Sequence, residues 1–173
     1  MVNDAFCCIG TTINEAGSQE AFRAADIDAV LLFAQAARAA GANRFVVVSS
    51  IGADTRSKKF YLRTKGEMEE AVTQVGFPSL EIMQPSLLLG SRRHFRPAEF
   101  MATLVAPLVN PLLTGSREAY RAIPAETVAR AMLGAARRGA RGIYRHSYAA
   151  LRQLAQSRPA QPTTANPAGK APA

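Results

Sequence analysis

The chain has 173 residues, 48% of them hydrophobic, 20% charged and 7% aromatic, enough for one domain with a real core and too few for two ordinary ones. That composition excludes a disordered chain, a collagen and a disulfide scaffold. The formal charge of +8 is uneven, because residues 1–90 carry 8 Lys and Arg against 10 Asp and Glu, whereas residues 91–173 carry 13 against 3. A basic half invites a nucleic-acid reading. The aromatic and glycine patterns of an RNA-binding sheet are missing, however, and two cysteines and two histidines give no metal-ligand spacing. An Arg-rich solvated surface is therefore expected, with no nucleic acid and no metal. The longest uncharged run, residues 100–116, carries Pro107, Asn110, Pro111 and Gly115 and falls short of a membrane span. No basic, apolar leader precedes the first element, which predicts a cytoplasmic protein.

Residues 5–9 (AFCCI) form a short apolar run closed by Gly10, as a strand buried on both faces would be. Cys7 and Cys8 are adjacent on it and point to opposite faces, a poor disulfide pair, so buried reduced thiols are expected. A polar loop runs from Thr11 to Ser18. Asp26 then opens a helix in which Val30, Phe33, Ala34, Ala37 and Ala40 share one face and which Gly41 ends. Residues 44–50 (RFVVVSS) make the strongest strand, rich in β-branched side chains. A second helix covers residues 61–75 up to Gly76, and a third strand covers 79–83, before Pro85. Strand–helix–strand–helix–strand with short linkers predicts a parallel α/β sheet with right-handed crossovers.

Beyond Gly90 the pattern changes. Arg92, Arg93, His94 and Arg96 form a basic loop before a helix expected from Pro97. A helix over residues 124–138 should bury Val128, Met132 and Ala135. Ile143 and Tyr144 suggest a short strand, and residues 149–155 a last helical piece. Residues 158–173 contain four prolines and no Ile, Leu, Val, Phe or Met, the composition of a disordered tail. The expected organisation is thus one domain over residues 1–155 and a tail over 156–173. His94 and His146 read as surface histidines, and the arginines at 92, 93 and 96 as a solvated loop.

The residues with most chemical content are Ser49 and Ser50 at a strand end, followed by Tyr61-Leu62-Arg63-Thr64-Lys65. Open parallel sheets place ligands outside the carboxyl ends of their strands. Tyr61 and Lys65 are four apart on a helix and share a face. A phenol with a pKa of about 10 carries protons poorly at neutral pH, and a neighbouring ammonium lowers that value. A serine hydroxyl beside it would hold a substrate oxygen while the tyrosine exchanges the proton.

The order Cys-Ile-Gly-Thr-Thr, Val-Val-Ser-Ser-Ile-Gly-Ala-Asp and Tyr-x-x-x-Lys, joined by Gln84-Pro85-Ser86-Leu87, resembles the short-chain dehydrogenase/reductase superfamily. More narrowly it resembles the atypical, Tat-interacting-protein-like oxidoreductases and their bacterial epimerase-like relatives. That resemblance implies a Rossmann-like sheet, NADP or NAD as cofactor, and a small carbonyl substrate. It makes Ser49 the catalytic serine, with Ser50 as the alternative, Tyr61 the acid/base, and Lys65 the partner of both the nicotinamide ribose and the tyrosine. Gly10, Thr11, Thr12, Ser50, Pro85, Ser86 and Leu87 fall at its cofactor-contacting positions. The structural readings, a turn glycine at Gly10 and a strand terminator at Pro85, stand beside these. The family's opening strand and glycine-rich pyrophosphate loop have no counterpart here, since Gly139-x-x-Gly142 follows a helix. The fold is therefore expected to lack the first nucleotide-binding half, leaving residues 5–9 as an open apolar edge that favours homo-oligomers. A non-catalytic dinucleotide-sensing or protein-binding scaffold, or a chain without activity of its own, are the alternatives to an oxidoreductase.

Overall fold

The computed structural model describes residues 2–89 and 115–157. Its centre is a parallel sheet of four strands in the order β1-β2-β3-β6: β1 (Asp4–Cys7), β2 (Arg44–Val48), β3 (Ser79–Met83) and β6 (Gly142–His146). One row across it runs Cys7, Val47, Ile82, Arg145. Between β1 and β2 lie α1 (Ile13–Ala16), α2 (Gln19–Arg23), one wide π-helical turn (Ala24–Asp28) and α3 (Ala29–Ala39). Helix α4 (Phe60–Gln74) joins β2 to β3. After β3, the two-residue strand β4 (Leu88–Leu89) pairs in parallel with β5 (Ile123–Pro124), which follows a 3-10 turn over Gly115–Tyr120. Helix α5 (Ala125–Arg138) leads into β6, and α6 (Tyr148–Gln156) closes the described chain.

The two central strands, β2 and β3, are buried on both faces, as strands inside parallel sheets are. Alternation sends Phe45, Val47, Leu80 and Ile82 toward α3 and α4, where they meet Val30, Ala34, Met68 and Val72. Val46 and Met83 point the other way, onto Val128, Ala131 and Met132 of α5 and Leu151 of α6. The pairing of α5 with α6 is close because Gly134 has no side chain. A Cβ there would sit 2.2 Å from the carbonyl oxygen of Leu154.

Several expectations need correction. The loop expected from Thr11 to Ser18 holds the short helix α1, and the helical run expected from Asp26 starts at Gln19, with Ser18 capping the Ala21 amide. The reason is the π turn. Phe22 and Val30 are both fully buried, yet eight residues of straight α-helix would set them about 80° apart; the wider turn absorbs the extra residue and breaks the periodicity. Phe33 and Ala40, assigned to the inner face, are exposed, whereas Val30, Ala34 and Ala37 are buried as expected. Cys8 lies past the end of β1 and is exposed, while Cys7 is buried. His146 is not a surface residue; it is buried on β6 and bonded to Glu81. The expected basic loop, the helix from Pro97 and the sequence beyond residue 157 lie outside the described residues.

Candidate functional site

The carboxyl ends of β1 and β2 open onto a cleft of about 440 Å³, a volume within the range of small-molecule sites. Gly10, Thr11, Thr12, Ser49, Tyr61 and Lys65 all line it, together with Cys8 and Leu88. Six of the residues singled out from sequence are thus brought together. Ser50, Pro85, Ser86 and Leu87 are not in the lining. The Ser50 hydroxyl donates to the Ile51 carbonyl at 3.4 Å, the Pro85 carbonyl accepts from the Ile51 amide at 2.9 Å, and the Ser86 hydroxyl donates to the Arg121 carbonyl. Leu87 is exposed, and its carbonyl accepts from the Ile123 amide at 2.9 Å, beginning the β4–β5 ladder.

Helix α4 supplies one wall. Tyr61, Lys65 and Glu69 are spaced by four on it, so the three side chains rise along one stripe. The Tyr61 ring rests against the buried ring of Phe22, with centroids 5.9 Å apart. Lys65 is nearly fully buried and its ammonium lies 2.5 Å from Oδ1 of Asp26, which is completely buried in the π turn. Asp26 also accepts the Thr11 amide on Oδ2 at 2.9 Å, which ties the loop after β1 to the ion pair. Gly10 crosses directly over that pair: a Cβ would sit 3.4 Å from Asp26 Oδ1 and 3.6 Å from Lys65 Nζ. The Thr12 hydroxyl caps α1 by accepting the Glu15 amide.

Helix α4 also sits tightly on the loop after β2. A Cβ on Gly66 would fall 2.5 Å from the backbone of Asp54 and Thr55, so only glycine lets this loop lie on the helix. The loop begins at Ser49, whose amide donates to the Met83 carbonyl at 2.7 Å. The Ser49 hydroxyl donates to Oε1 of Glu69 at 2.6 Å. Glu69 is itself buried, accepts Gln84 Nε2 at 2.8 Å on the same oxygen, and holds Arg145 Nε at 2.9 Å on the other. Two of the three cleft residues expected to do chemistry therefore have a buried carboxylate behind them: Glu69 for Ser49 and Asp26 for Lys65.

Asp26 and Glu69 were not found from sequence. Glu69 was legible in principle as the next four-residue step after Tyr61 and Lys65. Asp26 carried no signal, because its use depends on the π turn. Near the cleft, burial pushes the Cys7 thiol up. Cys8 is exposed as a residue, but its sulfur lies 3.9 Å from Met132 Sδ, and the partial loss of water raises its thiol as well.

A parallel sheet wrapped by helices on both faces, with a cleft at its carboxyl ends, defines a Rossmann-type α/β protein. Solved structures agree at the level of the fold. The Bordetella bronchiseptica enzyme WbmG in complex with NAD matches with a TM-score of 0.56 at 12% identity, over 84% of this chain and 50% of that one. RMD from Pseudomonas aeruginosa complexed with NADPH matches with a TM-score of 0.55 at 14% identity, over 84% and 60%. Protein HTATIP2 of Rattus norvegicus is 40% identical over 128 residues, 74% of this chain and 51% of that protein. Protein fmp52, mitochondrial, of Emericella nidulans is 45% identical over 98 residues, 57% and 42%, and protein FMP52, mitochondrial, of Lodderomyces elongisporus 35% over 148 residues, 80% and 58%. In sequence the chain is thus similar to HTATIP2 and the FMP52 proteins, and in fold to Rossmann-type proteins. No protein-family model matches it.

The chain spans about half the length of the curated relatives it matches. The cytoplasmic expectation is corrected by these names, since several fungal relatives are mitochondrial proteins. A mitochondrial address differs in composition from a secretory leader, so the secretory pattern does not bear on it. Among the described residues, no helix is long and apolar enough to cross a membrane.

Proposed function

We propose that the cleft at the ends of β1 and β2 is a nicotinamide-dinucleotide site, for NADP or NAD, in an oxidoreductase that interconverts a carbonyl and a hydroxyl on a small molecule. In this reading residues 1–155 are the C-terminal portion of the Rossmann-like domain. The observation that carries it is the convergence of Gly10, Ser49, Tyr61 and Lys65 on one cleft. The residues suit such a group. Lys65 has three donors, of which the Asp26 contact engages one, leaving two for ribose hydroxyls. Bare backbone at Gly10 admits close approach, with Thr11 and Thr12 beside it. The dinucleotide, when bound, supplies or accepts hydride.

The chain's own part is acid–base work. Tyr61 holds the exchanging proton on its phenol oxygen, and Phe22 fixes the ring in place. Asp26 anchors Lys65 so that its remaining donors face the cleft. Changing Tyr61→Phe should lower turnover by about 10²–10⁴-fold; turnover that survives within a few-fold removes Tyr61 from this role. The direct test is calorimetric titration of the folded chain with NADPH and then NADH. Micromolar binding supports the reading, and no binding by folded chain refutes it for this chain.

A second reading is favoured by one specific observation. Ser49 and Lys65 both face buried carboxylates, an arrangement that also serves a non-catalytic scaffold able to sense dinucleotide or hold a protein. Such a scaffold would bind NADPH with Tyr61→Phe unaltered and turn nothing over.

A further inference from the structure

The cleft has two unlike ends. Toward the loop after β1 it is lined by Thr11, Thr12 and Asn14, and toward the sheet by Cys8, Val48 and Leu88. The sheet end continues the core beneath α5 and α6. Val48 and Leu88 pack against the cluster that holds Val46, Met83 and Ile123, and Cys8 Sγ lies 3.9 Å from Met132 Sδ. Leu88 is fixed there because it pairs with Ile123 in the β4–β5 ladder. Ser49 follows Val48 directly, so a molecule that reaches Ser49 has this apolar wall beside it.

Charge points the same way. Among the described residues that line the cleft Lys65 alone is charged, and its ammonium is matched by Asp26 at 2.5 Å. A phosphate or carboxylate brought to Cys8, Val48 and Leu88 would give up its water with no cation to receive it, which is costly. An alkyl chain gains there, because apolar surface leaves water on both partners. We propose that the sheet end of the cleft is the substrate subsite and takes an uncharged aliphatic ketone or the matching secondary alcohol, with Val48 and Leu88 setting that specificity. The inference rests on the reading of this cleft as the reaction site and deepens it by naming the substrate class. The loop end, with bare backbone at Gly10, is left to the dinucleotide. The apolar wall makes no hydrogen bond, so the reacting oxygen is left to Tyr61 and Ser49.

The test titrates the isotope-labelled full chain with methyl ethyl, methyl butyl and methyl hexyl ketone, and with dihydroxyacetone phosphate as the charged ketone. Binding is read from the amide resonances of Cys8, Ser49 and Leu88. Each added methylene should tighten binding by about two- to fourfold, and dihydroxyacetone phosphate should leave these resonances unmoved. Bound methyl hexyl ketone should also slow alkylation of Cys8 by iodoacetamide, at concentrations where buried Cys7 stays unmodified and so reports an intact fold. Leu88→Ala should weaken methyl hexyl ketone by about three- to tenfold and methyl ethyl ketone by less than about twofold. A general loosening of the fold would not split the two. Affinity that does not rise with chain length, shifts that gather at Thr11, Thr12 and Asn14 instead, or no binding of any ketone would each overturn the inference. So would dihydroxyacetone phosphate binding as well as methyl hexyl ketone, unhindered Cys8 alkylation, or an unchanged series in Leu88→Ala. Should Leu88→Ala fail to fold, the series in the unaltered chain still decides. Calorimetry with NADPH reports separately on the oxidoreductase reading, so the two can fail independently.

Discussion

Replacing Asp26 with Asn tests the ion pair beneath the cleft. The change keeps shape and an oxygen that can still accept the Thr11 amide, and removes only the negative charge. Lys65 then holds an ammonium with a side-chain exposure of 6% and no carboxylate at 2.5 Å. Breaking a buried pair in this way costs about 3–5 kcal/mol, because the surviving charge stays out of water without compensation. With a urea m-value of about 2 kcal/mol/M, the unfolding midpoint should fall by roughly 1.5–2.5 M. Lys65→Met should cost a similar amount, since it strands Asp26 in the same place. The double variant should cost clearly less than the two single changes added together, because it removes both charges. A control lies on α5, where Arg130 and Glu126 pair at 2.7 Å with side chains 66% and 75% exposed; Arg130→Ala should move stability by no more than about 0.5 kcal/mol. If Asp26→Asn costs less than about 1 kcal/mol, or the costs simply add, the pair is not the buried anchor described here.

Other outcomes follow from the same contacts. Gly66→Ala gains about 1 kcal/mol in helix propensity but pushes a methyl into the backbone of Asp54 and Thr55, so urea unfolding should show a net loss of about 1–3 kcal/mol; a stabilised variant would contradict the close packing. Alkylation by iodoacetamide should reach Cys8 in the folded chain and Cys7 only on unfolding, and the Cys8 rate should rise above the pH at which an ordinary thiol ionises. The sign for stability follows: the fold favours the protonated thiols, so their contribution is complete below the ordinary thiol pKa and is lost as pH rises through the raised values, which a pH series of unfolding curves would reveal. Strand β1 ends the sheet order and leaves Phe6 39% exposed; light scattering should detect concentration-dependent association that Phe6→Lys reduces, and a chain that stays monomeric at all concentrations would oppose this.

The sequence disclosed those elements whose pattern is local. Strand β2 announces itself through Val46, Val47 and Val48, and β3 through a five-residue run stopped by Pro85. Helix α5 shows its buried face in Val128, Met132 and Ala135, all three of which are in the core. Segments that depend on distant partners are not legible in this way. The α2–α3 region hides its true start because the π turn changes the helical period in its middle. Strands β4 and β5 are too short to have a period at all. His146 looks like any polar strand residue until Glu81 is placed 2.5 Å away and Arg138 3.1 Å from the same carboxylate. The candidate site shows the same division: Tyr61 and Lys65 are visible as neighbours on one helix, whereas the carboxylates that engage Lys65 and Ser49 are revealed by tertiary packing. Asp26 reaches its lysine only because a wide turn carries it under Gly10.

The central claim is that this cleft holds a nicotinamide dinucleotide. The most direct measurement is an isotope-edited NMR titration of the chain with NADPH, followed residue by residue. The account predicts saturable shifts concentrated at Gly10, Thr11, Thr12, Ser49, Tyr61 and Lys65, weakened in Lys65→Met. Shifts that gather elsewhere on the chain, or none in a folded sample, would contradict it.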